Sequence, residues 1–143
     1  MNKKNFVIER DWMQGKYHCL IVFQTHGHRC GYVGVNKSGL IVNNEELDKL
    51  EVHGGVTYLQ DGCKEHEKED YRYVGFDCMH ICDNVDIDCL EEYFPSDDFA
   101  KRMVRDMTRI NIRNRLGTVK TQEFVESEMN KLIKQLDELN RKE

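Results

Sequence analysis

Two short segments constrain this chain most: His53-Gly54-Gly55-Val56-Thr57-Tyr58 and Tyr73-Val74-Gly75-Phe76-Asp77-Cys78-Met79-His80, where β-branched or aromatic residues adjoin Gly, His or Asp. Strand-forming residues set beside groups able to stack or hydrogen-bond predict a sheet whose strand ends build a site. Val56 to Leu59 and Tyr71 to Asp77 read as strands and as adjacent antiparallel partners. Upstream, the β-rich runs Tyr17 to Phe23 and Cys30 to Val35 flank Thr25-His26-Gly27-His28, which reads as a hairpin.

Helical signals follow a different period. Asn43-Asn44-Glu45-Glu46 has the capping Asn and first-turn acids of a short helix ending near Leu50. Met79 to Asp88 reads as an acidic loop. Pro95-Ser96-Asp97-Asp98 then starts a helix running to about Ile112, with Phe99, Met103, Met107 and Ile110 on one face. Arg102, Arg105, Arg109 and Arg113 form a neighbouring stripe. Gly117 stops that helix, and Thr121 caps a last one over about 121–141. Its apolar face is Phe124, Val125, Met129, Leu132, Ile133, Leu136 and Leu139, long enough to cover the sheet and also to contribute to an oligomer. The fold class expected is α+β: a small antiparallel sheet, a short helix, an Arg-rich helix and a long C-terminal helix in one domain, 1–143.

At 143 residues a chain can bury roughly 68–70% of its unfolded surface without metals or disulfides. The apolar run Leu20 to Phe23 is far short of the ~20 residues of a membrane span, and no apolar segment follows Met1-Asn2-Lys3-Lys4-Asn5 as a secretory signal would. A cytoplasmic protein is expected, with its six cysteines reduced and most of them packed as small apolar residues. Charge is unevenly spread. Between Lys101 and Lys120 seven Lys or Arg and one acid give +6, so the rest of a chain of net −5 carries −11. An acidic chain argues against polymeric nucleic acid as the main partner, whereas one concentrated basic element suits a smaller anionic partner.

Three chemistries fit these residues. Cys63, His66, Cys78, His80 and Cys82 could supply thiolate and imidazole to zinc, although neither cluster has the paired Cys-x-x-Cys form. A hydrolase could use His53 or His80 oriented by Asp77 or Asp83, yet no nucleophile elbow, Walker loop or paired-histidine motif accompanies them. Plainer roles are a strand-end histidine for His53 and an anchor of the following loop for Asp77. Nucleotide binding uses more of the residues: Phe76 and nearby tyrosines to stack, Asn84 to read a base or ribose edge, arginine forks to clamp phosphates.

The segments 53–58 and 75–83, followed by Thr121-Gln122-Glu123-Phe124-Val125-Glu126-Ser127-Glu128-Met129, resemble small phage proteins of the first anti-Thoeris defence family, over roughly Tyr17 to Gln135. The resemblance implies a non-enzymatic sponge acting in the cytoplasm of an infected bacterium. It would sequester, without cleaving, the cyclic ADP-ribose isomer made by TIR-domain enzymes, with cyclic di- or trinucleotides of CBASS defence as further ligands. It also implies a homo-dimer or homo-hexamer, with no cofactor and no metal. Phe76 would stack on adenine, Asn84 would hydrogen-bond the ligand, and Arg109 and Arg113, with Arg105 beside them, would hold the pyrophosphate. The hairpin tip at Gln24, His28 and Arg29 would form the second site.

Overall fold

The computed structural model describes residues 6–25, 27–38, 49–62, 67–79, 83–95, 102, 106 and 118–141. The fold is α+β. Its strands are β1 (Phe6–Gln14), β2 (Tyr17–Gln24), β3 (Arg29–Asn36), β4 (Tyr58–Asp61) and β5 (Tyr71–Asp77), joined in one antiparallel sheet of order β1-β2-β3-β5-β4. A parallel pair, β6 (Asp83–Asn84) with β7 (Thr118–Val119), lies apart from it. Two helices accompany the strands: α1 (Ile87–Tyr93) and α2 (Gln122–Arg141).

The expected β2–β3 hairpin and the β4–β5 pairing are both present, with β4 beginning at Tyr58 rather than Val56. Two elements depart from the sequence reading. α1 begins inside the expected loop, capped by Asp86, whose Oδ1 accepts the Cys89 N–H at 3.1 Å. β1 was hidden by Glu9-Arg10-Asp11, three charges that break strand alternation. A bulge explains them: Ile8 pairs with Val22 and Arg10 with Ile21, leaving Glu9 as the extra residue. Neighbouring Glu9 and Arg10 therefore both reach α2, Glu9 through Gln122 at 2.9 Å and Arg10 through Glu126 at 2.5 Å. The expected helix near 43–50 falls largely outside the described residues. Of the Arg-rich helix, Arg102 and Asp106 are helical and exposed, and the rest lies outside them.

α2 covers one face of the sheet. Thr121 caps it as expected, its Oγ1 accepting the Phe124 N–H at 3.3 Å. Val125, Met129, Leu132, Ile133 and Leu136 are buried against Cys19, Ile21, Val33, Val35, Val74 and Phe76. Each such side chain contributes about 1.5–3 kcal/mol on burial, so this face needs no partner chain to account for it. On the opposite face Leu20, Val22 and Tyr73 are buried beneath Phe6, Ile8, Tyr32, Tyr58 and Tyr71.

The glycines of β3 and β5 belong to this packing. Gly31, Gly34 and Gly75 stand across the ladder from Phe76, Tyr73 and Tyr32. A Cβ on each would come within 2.8, 2.6 and 2.5 Å of those rings, so each aromatic lies over a glycine's bare backbone. Gly34→Ala should therefore destabilise the chain by about 1–3 kcal/mol in urea unfolding, and by less when it is made in a Tyr73→Leu background, where the ring it meets is gone. Equal stability of Gly34→Ala and wild type would contradict this packing.

Candidate ligand-binding site

The approach to β4 is a glycine turn. Gly54 and Gly55 have φ of 70° and 85°, a region other residues enter only with strain. The Gly55 N–H donates to Val52 O at 2.8 Å, and the Thr57 N–H donates to Gly75 O at 2.9 Å, fixing the turn to β5. His53 is thereby held beside β6. Its Nε2 lies 2.9 and 2.8 Å from the two carboxylate oxygens of Asp83. Lys120 Nζ lies 3.1 Å from the same carboxylate, whose side chain is wholly buried. The His53 ring stands edge-on to Phe124, centroids 5.0 Å apart, and Lys120 Nζ sits 5.4 Å from that ring's centre.

One carboxylate thus gathers the glycine turn, the segment after β5 and the lead into α2. Pairing of Asp83 with Thr118 and Asn84 with Val119 reinforces the junction. Burial first, and then the charge of Asp83, pushes the Cys78 thiol up to about 12, so Cys78 is a neutral core thiol at physiological pH. Beside His53, between residues 51–53 and α2, runs an open groove of 530 Å³ lined by Glu51, Val52, His53, Glu128, Lys131, Lys134, Gln135 and Glu138.

The sequence-predicted residues fall differently. Asn84 is at the junction, next to Asp83 and half-buried. Phe76 is a core residue, 1% exposed among α2 and sheet side chains. Strand alternation directs it toward α2, and within the chain its ring has no face open to a purine. Asp77 anchors the next turn, its Oδ1 accepting the Met79 N–H at 3.1 Å. Arg105, Arg109 and Arg113 lie outside the described residues, as do Cys63, His66, His80 and Cys82. Among the described residues no group of three or more His, Cys, Asp or Glu is placed to hold a metal ion.

The proposed second site meets a different environment. Gln24 closes the β2–β3 turn, its N–H donating to His28 O at 3.0 Å and its own carbonyl accepting the Gly27 N–H at 2.9 Å. Arg29 is buried, and its guanidinium is engaged internally. Nε and one terminal nitrogen donate to the two oxygens of Glu9 at 2.6 and 3.1 Å. The other donates to Asp86 at 2.8 Å and to the Lys120 carbonyl at 3.1 Å. Tyr93 and Gln122 add hydrogen bonds to Glu9 at 2.6 and 2.9 Å. Burial works against the Arg29 charge, but Glu9 and Asp86 outweigh it and raise its pKa. Arg29 is thus a structural cation rather than a surface contact for a symmetry mate. Asp83 was one of two carboxylates expected to orient His53 or His80, and it is the one that meets His53; Glu9 and Lys120 carried no local motif.

Two outcomes follow from these ion pairs. Asp83→Ala should cost about 3 kcal/mol by urea unfolding, and more than Lys120→Ala, which leaves His53 on the carboxylate; the reverse order would contradict the junction. For Asp86, burial raises the carboxyl pKa, but Arg29 and the Cys89 N–H outweigh it and hold it below 3.8. A depressed folded pKa stabilises above the unfolded value and is lost as pH falls through the folded one. The stability gap between wild type and Asp86→Asn should be full at pH 6 and close below about pH 4; a gap independent of pH would contradict the Asp86–Arg29 pair.

Comparison with protein families, characterised proteins and solved structures finds no match to this chain.

Proposed function

We propose that this chain is a phage sponge: it binds and sequesters, without cleaving, the cyclic ADP-ribose isomer that TIR-domain enzymes make in Thoeris immunity. It acts in the cytoplasm of the infected bacterium as a homo-dimer or homo-hexamer and takes cyclic oligonucleotides of CBASS as secondary ligands. One observation carries the reading. The three segments of the resemblance, 53–58, 75–83 and 121–129, meet at one side chain: His53 contacts Asp83 at 2.8 Å and the Phe124 ring at 5.0 Å. Residues far apart in sequence that converge on one junction beside a groove fit a shared ligand.

Asn84 then supplies a hydrogen-bonding amide at the junction, and the chain from Lys101 to Lys120 supplies phosphate-binding cations. A sponge gains by holding its ligand's ground state, whereas an enzyme must favour a transition state. The His53–Asp83 pair favours a second reading, a nucleotide phosphodiesterase or hydrolase, because an imidazole oriented by a carboxylate is what a general base requires. The shared ion pair to Lys120 argues instead for a fixed strut.

Calorimetry with TIR-derived cyclic ADP-ribose isomers, followed by chromatography of the ligand released on heating, separates these readings. The sponge predicts saturable binding and full recovery of intact nucleotide after prolonged incubation. A cleaved product would establish the hydrolase, and absence of binding would overturn both.

A further inference from the structure

Lys120, the residue before the α2 cap, is fixed at both ends. Its backbone carbonyl accepts the Arg29 guanidinium at 3.1 Å. Its ammonium meets Asp83 at 3.1 Å, the Thr118 carbonyl at 3.3 Å and the Thr118 hydroxyl. An ammonium carries three N–H donors, and these acceptors occupy all three. Its side chain is 11% exposed, so the rotamer freedom of an ordinary surface lysine is lost here. The ion pair to Asp83 therefore depends on where the backbone at 118–120 lies relative to the backbone at 83–84.

That placement is not secured locally. β6 and β7 have two residues each and pair in parallel, shorter than ordinary strands. A slip of one residue along the ladder, about 3.3 Å, would take the ammonium out of reach of Asp83. The Arg29 cluster holds the register instead. The guanidinium nitrogen that donates to the Lys120 carbonyl also donates to Asp86 at 2.8 Å. The Asp86 N–H donates to Gly27 O at 2.9 Å, and the Arg29 carbonyl accepts the Cys78 N–H at 2.9 Å. The end of the β2–β3 hairpin thus grips the chain on both sides of Asp83, at Cys78 and Asp86, and grips the Lys120 backbone with the same arginine.

We propose that Lys120 is the positioning residue of the His53 site: the β2–β3 turn, acting through Arg29 and the Lys120 carbonyl, sets the distance from the Lys120 ammonium to Asp83 and so the seat of the His53 ring. With Arg29 in place, Asp83 is shared between His53 and Lys120, and His53 stands against Phe124. When the guanidinium fork is lost, the backbone at 118–120 shifts, Lys120 leaves the carboxylate and His53 resettles on it. This deepens the nucleotide-binding reading, on which its consequence for affinity rests, by giving that site a control point at the hairpin.

The test records histidine ring spectra of the ligand-free full chain, with the His53 signal assigned from His53→Gln. Three single variants are compared: Lys120→Met; Arg29→Lys, which keeps the charge but not the fork; and the control Gln14→Ala, which breaks a 2.8 Å hydrogen bond from β1 to Asn130 of α2. Lys120→Met and Arg29→Lys should displace the His53 ring resonances, and Gln14→Ala should not. The double variant should match Lys120→Met alone, because two changes on one path do not add. A His53 signal unmoved by Arg29→Lys, or shifts that add in the double variant, would overturn the proposal. If urea unfolding shows Arg29→Lys to be unfolded, Gln122→Leu, which takes one donor from Glu9 and leaves every charge in place, is read the same way. In calorimetry with the cyclic ADP-ribose isomer, Lys120→Met and Arg29→Lys should weaken binding about fivefold or more, with Gln14→Ala at wild-type affinity. If wild type binds and these two variants bind equally well, the control point is wrong while the sponge reading stands. If wild type does not bind, the sponge reading fails, and the ring spectra decide the positioning role without it.

Discussion

The rest of this structure depends on one buried guanidinium. Arg29 begins β3, reaches Glu9 on the β1 bulge, Asp86 at the start of α1 and the Lys120 carbonyl just before α2. Glu9, wholly buried, also receives Tyr93 from α1 and Gln122 from the first turn of α2. Phe23 lies beneath, its ring centre 5.2 Å from the guanidinium carbon. A buried cation with two carboxylates is costly to desolvate and adds little net stability over a well-packed apolar cluster. Its effect is on geometry: removing Arg29 leaves Glu9 and Asp86 without their cation, so the placement of the helices on the sheet is tied to this cluster. That placement brings Lys120 within reach of Asp83 and sets Phe124 against His53.

The Asp83 junction is therefore secondary to the Arg29 network. Asp83 collects His53 and Lys120 much as Glu9 and Asp86 collect Arg29, and the two networks meet at Lys120, which offers its carbonyl to one and its ammonium to the other. A disturbance in the β1 bulge should thus be felt at the junction through the backbone leading into α2. On the sheet's opposite face a separate chain runs from Asp11 to His18 at 2.7 Å and on to the Tyr73 hydroxyl at 2.6 Å, which accepts the Lys68 N–H at 2.8 Å. It secures the connection before β5 and does not reach the junction.

Much of the fold was legible because it is written locally. The β-rich runs Tyr17 to Phe23 and Cys30 to Val35, the cap at Thr121 and the 3.6-residue spacing of Val125, Met129, Leu132 and Leu136 each need only neighbouring residues. β1 was not legible, since a bulge inverts the alternation on which a strand is recognised. The glycines told half the truth. Gly75 next to Phe76 looked like a strand end opening onto a ligand, but its want of a side chain serves Tyr32 across the ladder, and Phe76 fills the space above Gly31. For the junction, sequence offered His53 with Asp77 or Asp83 as its carboxylate but could not choose between them, 30 residues separating His53 from Asp83, or see that Lys120 completes the cluster. Such pairs follow from the path of the backbone, which no local pattern encodes.

The proposed sponge requires that segments 53–58, 75–83 and 121–129 form one ligand site around His53. The decisive measurement is titration of the isotope-labelled protein with the cyclic ADP-ribose isomer while amide spectra are recorded. Shifts should concentrate on His53, Asp83, Asn84 and Phe124 and saturate together. Shifts confined to other surfaces, or spectra unchanged by the ligand, would contradict it.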